Sequence, residues 1–570
     1  MYFPGCSFWI FVSSVLCGLT GVYGVTVNVK QGLISGTTQT VRNGKVVEKF
    51  LNIPYAQPPV GKRRFKDPEP VKPWPGVWNA TNENGDLQKC IQLMHEPGGP
   101  NNVGGYEDCL YLSVYTPKSP QDGASNPKWD VIVYIHGGAF MFGQGYIYEP
   151  FPLLEKHDVV YVSINYRVGP LGFLSTGDDV VPGNMGLKDQ TQALRWVKEN
   201  IAQFGGNPDS ITISGMSAGG ASVHFQMLNP QAKGLFQRAI SMSGTALNPW
   251  VIAENLPDKT RFIANHLGCP VDCNKKMIEC LQARPASLIV NAVGLLQPIT
   301  YNPFSPWGPT VDSFAKNPIL TDYPSALIKQ GKIADIPWLN SVTTAEGLYP
   351  GAEFVASEEH MKHINENWIS LAPHILDYNF TVPDNLKDEI AEKIRRQYLG
   401  DKPINLENQR EFIQIISDRM FIVDAERATR FQSQVNKAPI YFYEFNFQGR
   451  YSLSNHYAQN FERYGCSHGD DTNYVVVVKG NILENTTEME QKTIDFMTSL
   501  WTSFAKTGKP HISSWKPVTS TSFNYLRIDS GDDYKMVENA KELGSRSFWE
   551  SFPFDENNFW EPSIEGHTEL

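Results

Sequence analysis

The chain has 570 residues, of which 41% are hydrophobic and 19% charged, a balance typical of a globular protein with a large core. Its formal net charge of -11 argues against nucleic acid or an anionic membrane as a partner and favours neutral or apolar small molecules. No internal repeat or low-complexity linker divides the chain, so we expect residues 25–566 to form a single domain.

The N-terminus has the features of a secretory leader. An apolar run from Phe8 to Val12 is followed by small residues, with a plausible cleavage site after Gly24. We therefore predict a signal peptide over residues 1–24, with an uncleaved anchor as the alternative. No later stretch approaches the ~20 apolar residues of a membrane span, so no stable span is expected.

The last four residues, His567-Thr568-Glu569-Leu570, resemble the tetrapeptides that a retention receptor reads at the extreme C-terminus. Together with the leader they predict residence in the lumen of the endoplasmic reticulum, with the retention receptor as a possible partner. Secretion is the alternative. Three sequons, at Asn79, Asn379 and Asn485, suit the same compartment and are candidate glycosylation sites.

The predicted signal peptide contains two of the eight cysteines, which leaves six: Cys90, Cys109, Cys269, Cys273, Cys280 and Cys466. One interpretation of His266, Cys269, Cys273 and Cys280 is a zinc site, but an oxidising compartment favours disulfides over thiolate ligands. Pairing Cys90 with Cys109 and Cys269 with Cys280 closes two short loops and leaves Cys273 and Cys466 free. The sequence alone leaves this connectivity open.

Short β-like pieces alternate with Pro-rich turns from Val25 to Thr81. The next clear strand is the continuous apolar run Val131–Ile135, and a second such run covers Val159–Ile164. Continuous apolar runs are typical of strands that are covered on both faces. From Leu187 to Phe204 apolar residues recur at helical spacing. Strands that alternate with helices predict an α/β protein with a doubly wound, mostly parallel central sheet flanked by helices.

A candidate nucleophile lies at the end of the next predicted strand. The β-branched run Ile211–Ile213 leads into Gly215-Met216-Ser217-Ala218-Gly219, and a helix can begin after it. This is the G-x-S-x-G pattern of a nucleophile elbow, in which small residues avoid collisions around a strained serine. Ser217 is therefore the predicted nucleophile.

A serine hydroxyl needs a base to take its proton, and His468 is the best candidate. It lies in Gly465-Cys466-Ser467-His468-Gly469, a second match to the same pattern. No buried strand leads directly into this match and no helix follows it. The loop follows the late strand Tyr441–Phe445, where a base is expected. Two other histidines, His136 and His224, are tied to the strand and the helix beside the nucleophile and are poorer candidates.

The base must in turn be oriented by a carboxylate. Glu346 follows the predicted strand Pro337–Val342 and lies between nucleophile and base in the chain. The order Ser, acid, His is the one that accompanies a nucleophile elbow. Asp312 and Asp418 are the alternatives.

An oxyanion site is predicted from main-chain donors. His136-Gly137-Gly138-Ala139 follows the first apolar strand and matches an H-G-G-x loop. The amides of Gly138 and Ala139, with that of Ala218 after the nucleophile, would surround a developing oxyanion.

These motifs together resemble the type-B carboxylesterases of the carboxylesterase/cholinesterase family. The match runs through nearly the whole mature chain, in the segments 52–56, 107–112, 136–140, 183–187, 215–220, 346–347 and 465–471. The resemblance implies an α/β-hydrolase fold, a Ser217/His468/Glu346 triad, the two disulfides Cys90–Cys109 and Cys269–Cys280, and ester hydrolysis through an acyl-enzyme without a cofactor.

Departures from the family pattern indicate which subfamily fits. Cholinesterases carry a cation-binding Trp in the first disulfide loop, which this chain lacks, and Met216 stands where they have Glu. A broad carboxylesterase acting on small apolar esters is the leading expectation. A juvenile hormone esterase-like hydrolase and a slow-turnover ligand-sequestering protein are the alternatives. Five residues are candidates for the pocket lining: Phe140, Phe142, Phe304, Trp307 and Tyr349.

Overall fold

The computed structural model describes residues 24–81, 88–97, 99–120, 126–478 and 485–554. The predicted leader, apart from Gly24, and the predicted retention signal at residues 567–570 lie outside these ranges and stay predictions. Among the described helices, none combines the length and the apolar composition that crossing a membrane requires.

The strands, in chain order, are β1 Val25–Val29, β2 Gly32–Thr40, β3 Val46–Pro54, β4 Val77–Asn79, β5 Gln92–Met94, β6 Asn102–Gly104, β7 Tyr111–Thr116, β8 Trp129–Ile135, β9 Tyr148–Glu149, β10 Val160–Ile164, β11 Gly206–Met216, β12 Arg238–Met242, β13 Trp338–Thr343, β14 Ile440–Phe445, β15 Val477–Val478, β16 Tyr525–Ile528 and β17 Tyr534–Val537.

The α-helices are α1 Phe151–Lys156, α2 Gly169–Phe173, α3 Met185–Asn200, α4 Ala218–Leu228, α5 Leu256–His266, α6 Asn274–Ala283, α7 Ala286–Asn291, α8 Pro324–Lys329, α9 Leu348–Val355, α10 Glu358–Glu366, α11 Trp368–Ile375, α12 Asp384–Leu399, α13 Gln409–Ser417, α14 Val423–Val435, α15 Leu453–Ala458, α16 Glu488–Thr507 and α17 Arg546–Trp549. A π-helical turn, Asp418–Ile422, joins α13 to α14.

One large sheet organises the molecule, with the strand order β1-β2-β3-β7-β10-β8-β11-β12-β13-β14-β16-β17 and β4 paired to β2. Neighbours from β10 to β16 are parallel, whereas both edges are antiparallel. The carboxyl ends of the parallel strands therefore meet at one edge, where loops from different parts of the chain converge. This is the doubly wound, mostly parallel sheet that the sequence predicts.

Strand β8 lies at the centre of the sheet and contains the predicted apolar run Val131–Ile135. Val131, Val133 and Ile135 pack into the core on one face of the sheet, whereas Ile132 and Tyr134 pack into a separate core on the other face. Successive side chains of a strand point to opposite faces, so in a strand with helices on both sides an apolar side chain finds a core at every position.

Glycines end two helices. The helical pattern that ends at Phe204 forms as α3 followed by a short 3-10 turn, and Gly205 follows it with a φ of 85°. Gly508, with a φ of 73°, ends α16 in the same way. Glycine adopts these left-handed angles without the steric cost that a Cβ would bring.

Two disulfides are present, Cys90–Cys109 and Cys269–Cys280, and they are the pairs that the resemblance implies. Cys273 and Cys466 are free. The alternative of a zinc site on His266, Cys269, Cys273 and Cys280 is wrong, because the disulfide takes two of its three thiols. Within the described ranges, no group of three or more His, Cys, Asp and Glu side chains is arranged to hold a metal ion.

Candidate active site

Ser217 stands at a sharp turn between the central strand and its helix. β11 ends at Met216 and α4 begins at Ala218, and the residue between them has a φ of 62° and a ψ of -127°. A non-glycine residue at positive φ is strained, and such strain is common at functional sites. The serine is 4% exposed, so its hydroxyl lies in a nearly closed environment.

The two glycines of the elbow are required by the closeness of the neighbouring strand. A Cβ at Gly219 would collide with the carbonyl oxygen of Ile135, and a Cβ at Gly215 would collide with the main chain of Gly219. Strand β8 and helix α4 therefore approach each other more closely than side chains would allow. This is the physical role that the sequence predicts for both residues.

The elbow is also fastened to the next strand. The main-chain nitrogen of Ser217 donates to the carbonyl of Met242 at 2.8 Å, and Gly244 packs directly against the carbonyl of Ser217. The turn is thereby held by β12 as well as by its own flanking elements, which fixes the serine before any substrate binds.

His468 and Glu346 form a buried pair. Glu346 follows β13 and His468 follows β14, so adjacent parallel strands bring the two loops together. Nδ1 of His468 lies 2.5 Å from Oε2 of Glu346, and the side chains are 2% and 0% exposed. Because an ionised carboxylate accepts hydrogen bonds only, Nδ1 is assigned as the donor, which leaves Nε2 as the nitrogen that can accept a proton.

The other carboxylate oxygen of Glu346 is equally constrained. It accepts hydrogen bonds from the hydroxyl of Ser243 and from the amide of Thr343, both at 2.6 Å. With both oxygens occupied, the carboxylate is held in one orientation toward the imidazole. The sequence analysis did not identify Ser243 as a partner of Glu346.

Nε2 of His468 is buried and has no hydrogen-bond partner among the described residues. The loop that carries it packs onto the elbow, since a Cβ at Gly469 would lie 3.0 Å from the Met216 side chain. The nucleophile loop and the base loop are therefore in contact, and the imidazole nitrogen is one of the buried atoms near the elbow that have no hydrogen-bond partner in the described part of the chain.

The competing histidines have other partners. Nδ1 of His136 lies 2.7 Å from the carbonyl of Gly137, and burial lowers its pKa to about 4. His224 accepts a hydrogen bond from the amide of Ala246 and stacks on Trp338, and burial lowers its pKa to about 3. Both are therefore neutral structural residues near pH 7.

The competing carboxylates also lie elsewhere. Asp312 accepts hydrogen bonds from the amides of Ile319 and Leu320, and Asp418 accepts from Tyr398 and Gln414. The carboxylate oxygens of both residues accept hydrogen bonds from loops and helices other than the loop of His468. Glu346 is thus the acid that contacts the base.

The loop after β8 has a strained backbone. Ala139 and Phe140 have φ angles of 54° and 60°, and a Cβ at Gly138 would collide with the carbonyl of Phe142. The main-chain nitrogens of Gly138, Ala139 and Ala218 donate no hydrogen bond within the described ranges. Free amides in a buried, preorganised loop are suited to stabilise a developing negative charge.

Aromatic rings surround the imidazole. The ring centre of Phe421 lies 4.5 Å from that of His468, and Tyr349 stacks on it at 5.2 Å. Phe304 packs against both of these rings, at 6.4 and 5.2 Å. Two predicted lining residues, Phe304 and Tyr349, are therefore in the site, while Phe140 packs in the core against Phe173. The sequence analysis missed Phe421, because this residue lies in the π-helical turn and no sequence pattern predicts that turn.

Two further carboxylates lie directly after the base. Burial raises the pKa of Asp470 to about 7 and that of Asp471 to about 6. Asp471 accepts a hydrogen bond from the hydroxyl of Tyr443 at 2.9 Å, and nearby Glu346 adds to the rise in its pKa. The site thus holds two buried carboxyl groups in addition to that of Glu346.

The three sequons differ in accessibility. Asn79 and Asn485 are exposed, whereas Asn379 is half-buried and its Oδ1 accepts a hydrogen bond from Lys387 at 3.3 Å. Glycosylation at each of them stays a prediction.

Comparison with known proteins identifies the family. A model described as the carboxylesterase family matches residues 24–549. Esterase FE4 of Myzus persicae is 44% identical, with 88% of each chain covered, and venom carboxylesterase-6 of Apis mellifera is 41% identical, with 92% of this chain and 94% of that protein covered. The crystal structure of juvenile hormone esterase from Manduca sexta, with OTFP covalently attached, is similar with a TM-score of 0.80 at 28% identity, covering 94% of this chain and 98% of the other. The chain belongs to the carboxylesterase family; it has the α/β-hydrolase fold and is a carboxylic ester hydrolase.

Proposed function

We propose that this member of the carboxylesterase family hydrolyses carboxylic esters of apolar small molecules with Ser217 as nucleophile, His468 as base and Glu346 as the acid that orients the base. The observation that carries the proposal is the buried imidazole of His468, which is held by Glu346 at Nδ1 and has a free Nε2 in a loop packed on the nucleophile elbow. An imidazole in this state accepts a proton from a serine hydroxyl and later returns it.

The reaction proceeds in two halves. Ser217 Oγ attacks the ester carbonyl carbon while its proton passes to Nε2 of His468, and the carbonyl oxygen becomes an oxyanion beside the amides of Gly138, Ala139 and Ala218. The tetrahedral intermediate collapses, the alcohol leaves with the proton from His468, and an acyl-enzyme remains. Water then repeats the sequence, with His468 as base and then as acid, and releases the carboxylic acid and free Ser217.

The residues around the site support an apolar substrate. Phe421, Tyr349 and Phe304 bring aromatic rings to the imidazole, and apolar walls favour ester groups without charge. The sequence departures from cholinesterases agree, because Met216 offers no acidic partner to a quaternary ammonium group.

Hydrolysis of p-nitrophenyl acetate by the purified protein tests the proposal. We expect steady-state turnover that an organophosphate abolishes, and Ser217→Ala should lower kcat by about 10⁶-fold, the loss typical of removing a triad nucleophile. A wild-type protein that shows one burst and no steady state would instead favour the ligand-sequestering alternative, and inactivity at all pH values would contradict hydrolysis.

Hydrolysis of a juvenile hormone ester is a second candidate, because the similar solved structure is of a juvenile hormone esterase. A panel of esters graded by acyl and alcohol size, with a hormone ester included, separates the two. A kcat/KM for the hormone ester far above that of simple esters would favour the narrower function.

We also propose that the protein works in the lumen of the endoplasmic reticulum, with glycans at Asn79, Asn379 and Asn485. Deletion of residues 567–570 should release the protein into the medium. An unchanged distribution after the deletion would contradict retention, and an unchanged mass after glycosidase treatment would contradict glycosylation.

A further inference from the structure

We propose that a second carboxylate–imidazole pair, His95 with Glu353, limits the size of the ester that the active site admits. The inference rests on the proposed function, since it concerns access to the same catalytic groups. It assigns a role in specificity to two residues that take no part in the chemistry.

The pair belongs to a small hairpin beside the oxyanion loop. Strands β5 and β6 form this hairpin inside the Cys90–Cys109 loop. Gln92, at its start, donates to the carbonyl of Gly143 at 3.0 Å and accepts from the amide of Gly143 at 2.8 Å. Gly143 lies three residues after Phe140, in the same loop as the free amides of Gly138 and Ala139. The hairpin is therefore anchored to the oxyanion loop at one point.

His95 provides the second anchor. Its Nε2 lies 2.8 Å from Oε2 of Glu353 on helix α9, and its Nδ1 lies 2.9 Å from Oδ1 of Asn101 on the return side of the hairpin. The ring also packs on Tyr301 with a centroid distance of 4.1 Å. The side chains of His95 and Glu353 are only 12% and 9% exposed, so the contact is a largely buried one.

Helix α9 connects this anchor to the chemistry. Glu353 is four residues after Tyr349, whose ring stacks on the catalytic imidazole, and Tyr301 packs between the two regions, 6.1 Å from Tyr349. The hairpin is therefore tied at one end to the oxyanion loop and at the other to the helix that covers His468.

Little space remains beneath the hairpin. A cavity of about 20 Å³ lies between Leu93 and His95 on the hairpin and Met141, Phe142 and Phe304 on the active-site side. A cavity of that size holds about one water molecule, whereas sites for organic ligands measure ~300 Å³ or more. An acyl chain that extends in this direction needs the hairpin to move away, and that movement separates His95 from Glu353.

Short esters and long esters should therefore respond differently to loss of the pair. A short acyl group reacts with the hairpin in place. A long one reacts only with the fraction of molecules in which the hairpin has moved. Its apparent kcat/KM is therefore the intrinsic value multiplied by that fraction. Breaking the anchor increases the fraction and so favours long substrates selectively.

The test compares kcat/KM for p-nitrophenyl octanoate with that for p-nitrophenyl acetate. We expect His95→Ala to raise the octanoate-to-acetate ratio by about tenfold, mostly through KM, because the open fraction increases. Glu353→Ala should give the same rise, and the double variant should give no more than either single change, because all three remove one contact.

Glu155→Gln is the matched control. Glu155 is a carboxylate of similar burial whose side chain, 5% exposed, pairs with Arg42 at 2.8 Å across two elements outside the site. Its loss should lower thermal stability without changing the ratio. Should His95→Ala fail to fold, Glu353→Gln keeps the shape of the side chain while removing its charge, and a smaller rise in the ratio is expected.

A ratio that stays at the wild-type value, falls, or changes as much in Glu155→Gln would overturn the inference. Absence of acetate hydrolysis in the wild-type protein would instead contradict the proposed function, so the two failures are distinguishable.

Discussion

Two buried carboxylate–imidazole pairs lie within reach of one aromatic cluster, and the hydrogen-bond partners of their imidazoles differ. Glu346 and His468 are 2.5 Å apart and Glu353 and His95 are 2.8 Å apart, and each imidazole packs on a tyrosine ring. The difference lies in the second ring nitrogen. In His468 it has no partner among the described residues, whereas in His95 it lies 2.9 Å from Asn101.

This difference shows that a His–Glu contact alone is no evidence of catalysis. A base needs one nitrogen held and the other free and placed beside a nucleophile. An imidazole with both nitrogens engaged is a structural tie, because proton transfer would first require breaking a hydrogen bond. These contacts support the proposed role of His468 as a base and the proposed role of His95 as an anchor.

Replacing the two histidines in turn should give the largest contrast. We expect His468→Ala to lower kcat/KM for p-nitrophenyl acetate by about 10⁴-fold or more, because the serine loses its base. His95→Ala should lower it far less, since His95 moves no proton. Steady-state rates of the two purified variants, with far-UV circular dichroism to verify folding, make the measurement. Equal losses would break the distinction between the pairs.

A smaller effect should come from the hydroxyl that holds the catalytic carboxylate. Ser243 donates to Oε1 of Glu346 at 2.6 Å, and the amide of Thr343 donates to the same oxygen. Ser243→Ala removes a hydrogen bond to a charged group, worth about 1.5–3 kcal/mol, so kcat should fall by roughly 10- to 100-fold.

KM for p-nitrophenyl acetate should change little in Ser243→Ala, because the hydroxyl orients the acid and touches no substrate. Ser243→Thr, which keeps a hydroxyl, serves as the control and should recover much of the rate. A loss confined to KM, or no recovery in the threonine variant, would contradict this positioning role.

The sequence predicted the three residues of the proposed triad but almost none of the residues around them. It singled out Ser217, Glu346 and His468 because each follows a predicted parallel strand and because the elbow requires glycines at fixed spacing. Phe421 and Ser243 were missed, since the first depends on a π-helical turn and the second on the packing of one strand end against another. Both depend on tertiary contacts that leave no periodic trace in the chain.

His95 and Glu353 were missed for a different reason. They are separated by more than 250 residues, lie in a hairpin and a helix of unremarkable composition, and belong to no motif. Only the folded chain brings them together. The antiparallel edge from β1 to β3, by contrast, could be expected from the short β-like pieces near the N-terminus, although its pairing could not.

A buried carboxyl group beside the pair of His468 and Glu346 predicts a contribution to stability that depends on pH. Asp471 lies beside the catalytic pair, and burial raises its pKa from the ordinary 3.8 to about 6. Because the folded state binds this proton more tightly than the unfolded state, Asp471 contributes stability that is complete below about pH 4 and is lost as the pH rises through about 6.

Asp471→Asn removes this titration while its side-chain oxygen can still accept the hydrogen bond from Tyr443. Between pH 4 and pH 7 the free energy of unfolding of the wild-type protein should therefore fall relative to that of the variant, by on the order of 1–3 kcal/mol. Urea unfolding of both proteins at pH 4.5 and pH 7.5 measures the change. A difference that grows in the opposite direction would mean that the Asp471 carboxylate is stabilised as an anion, and it would contradict the prediction.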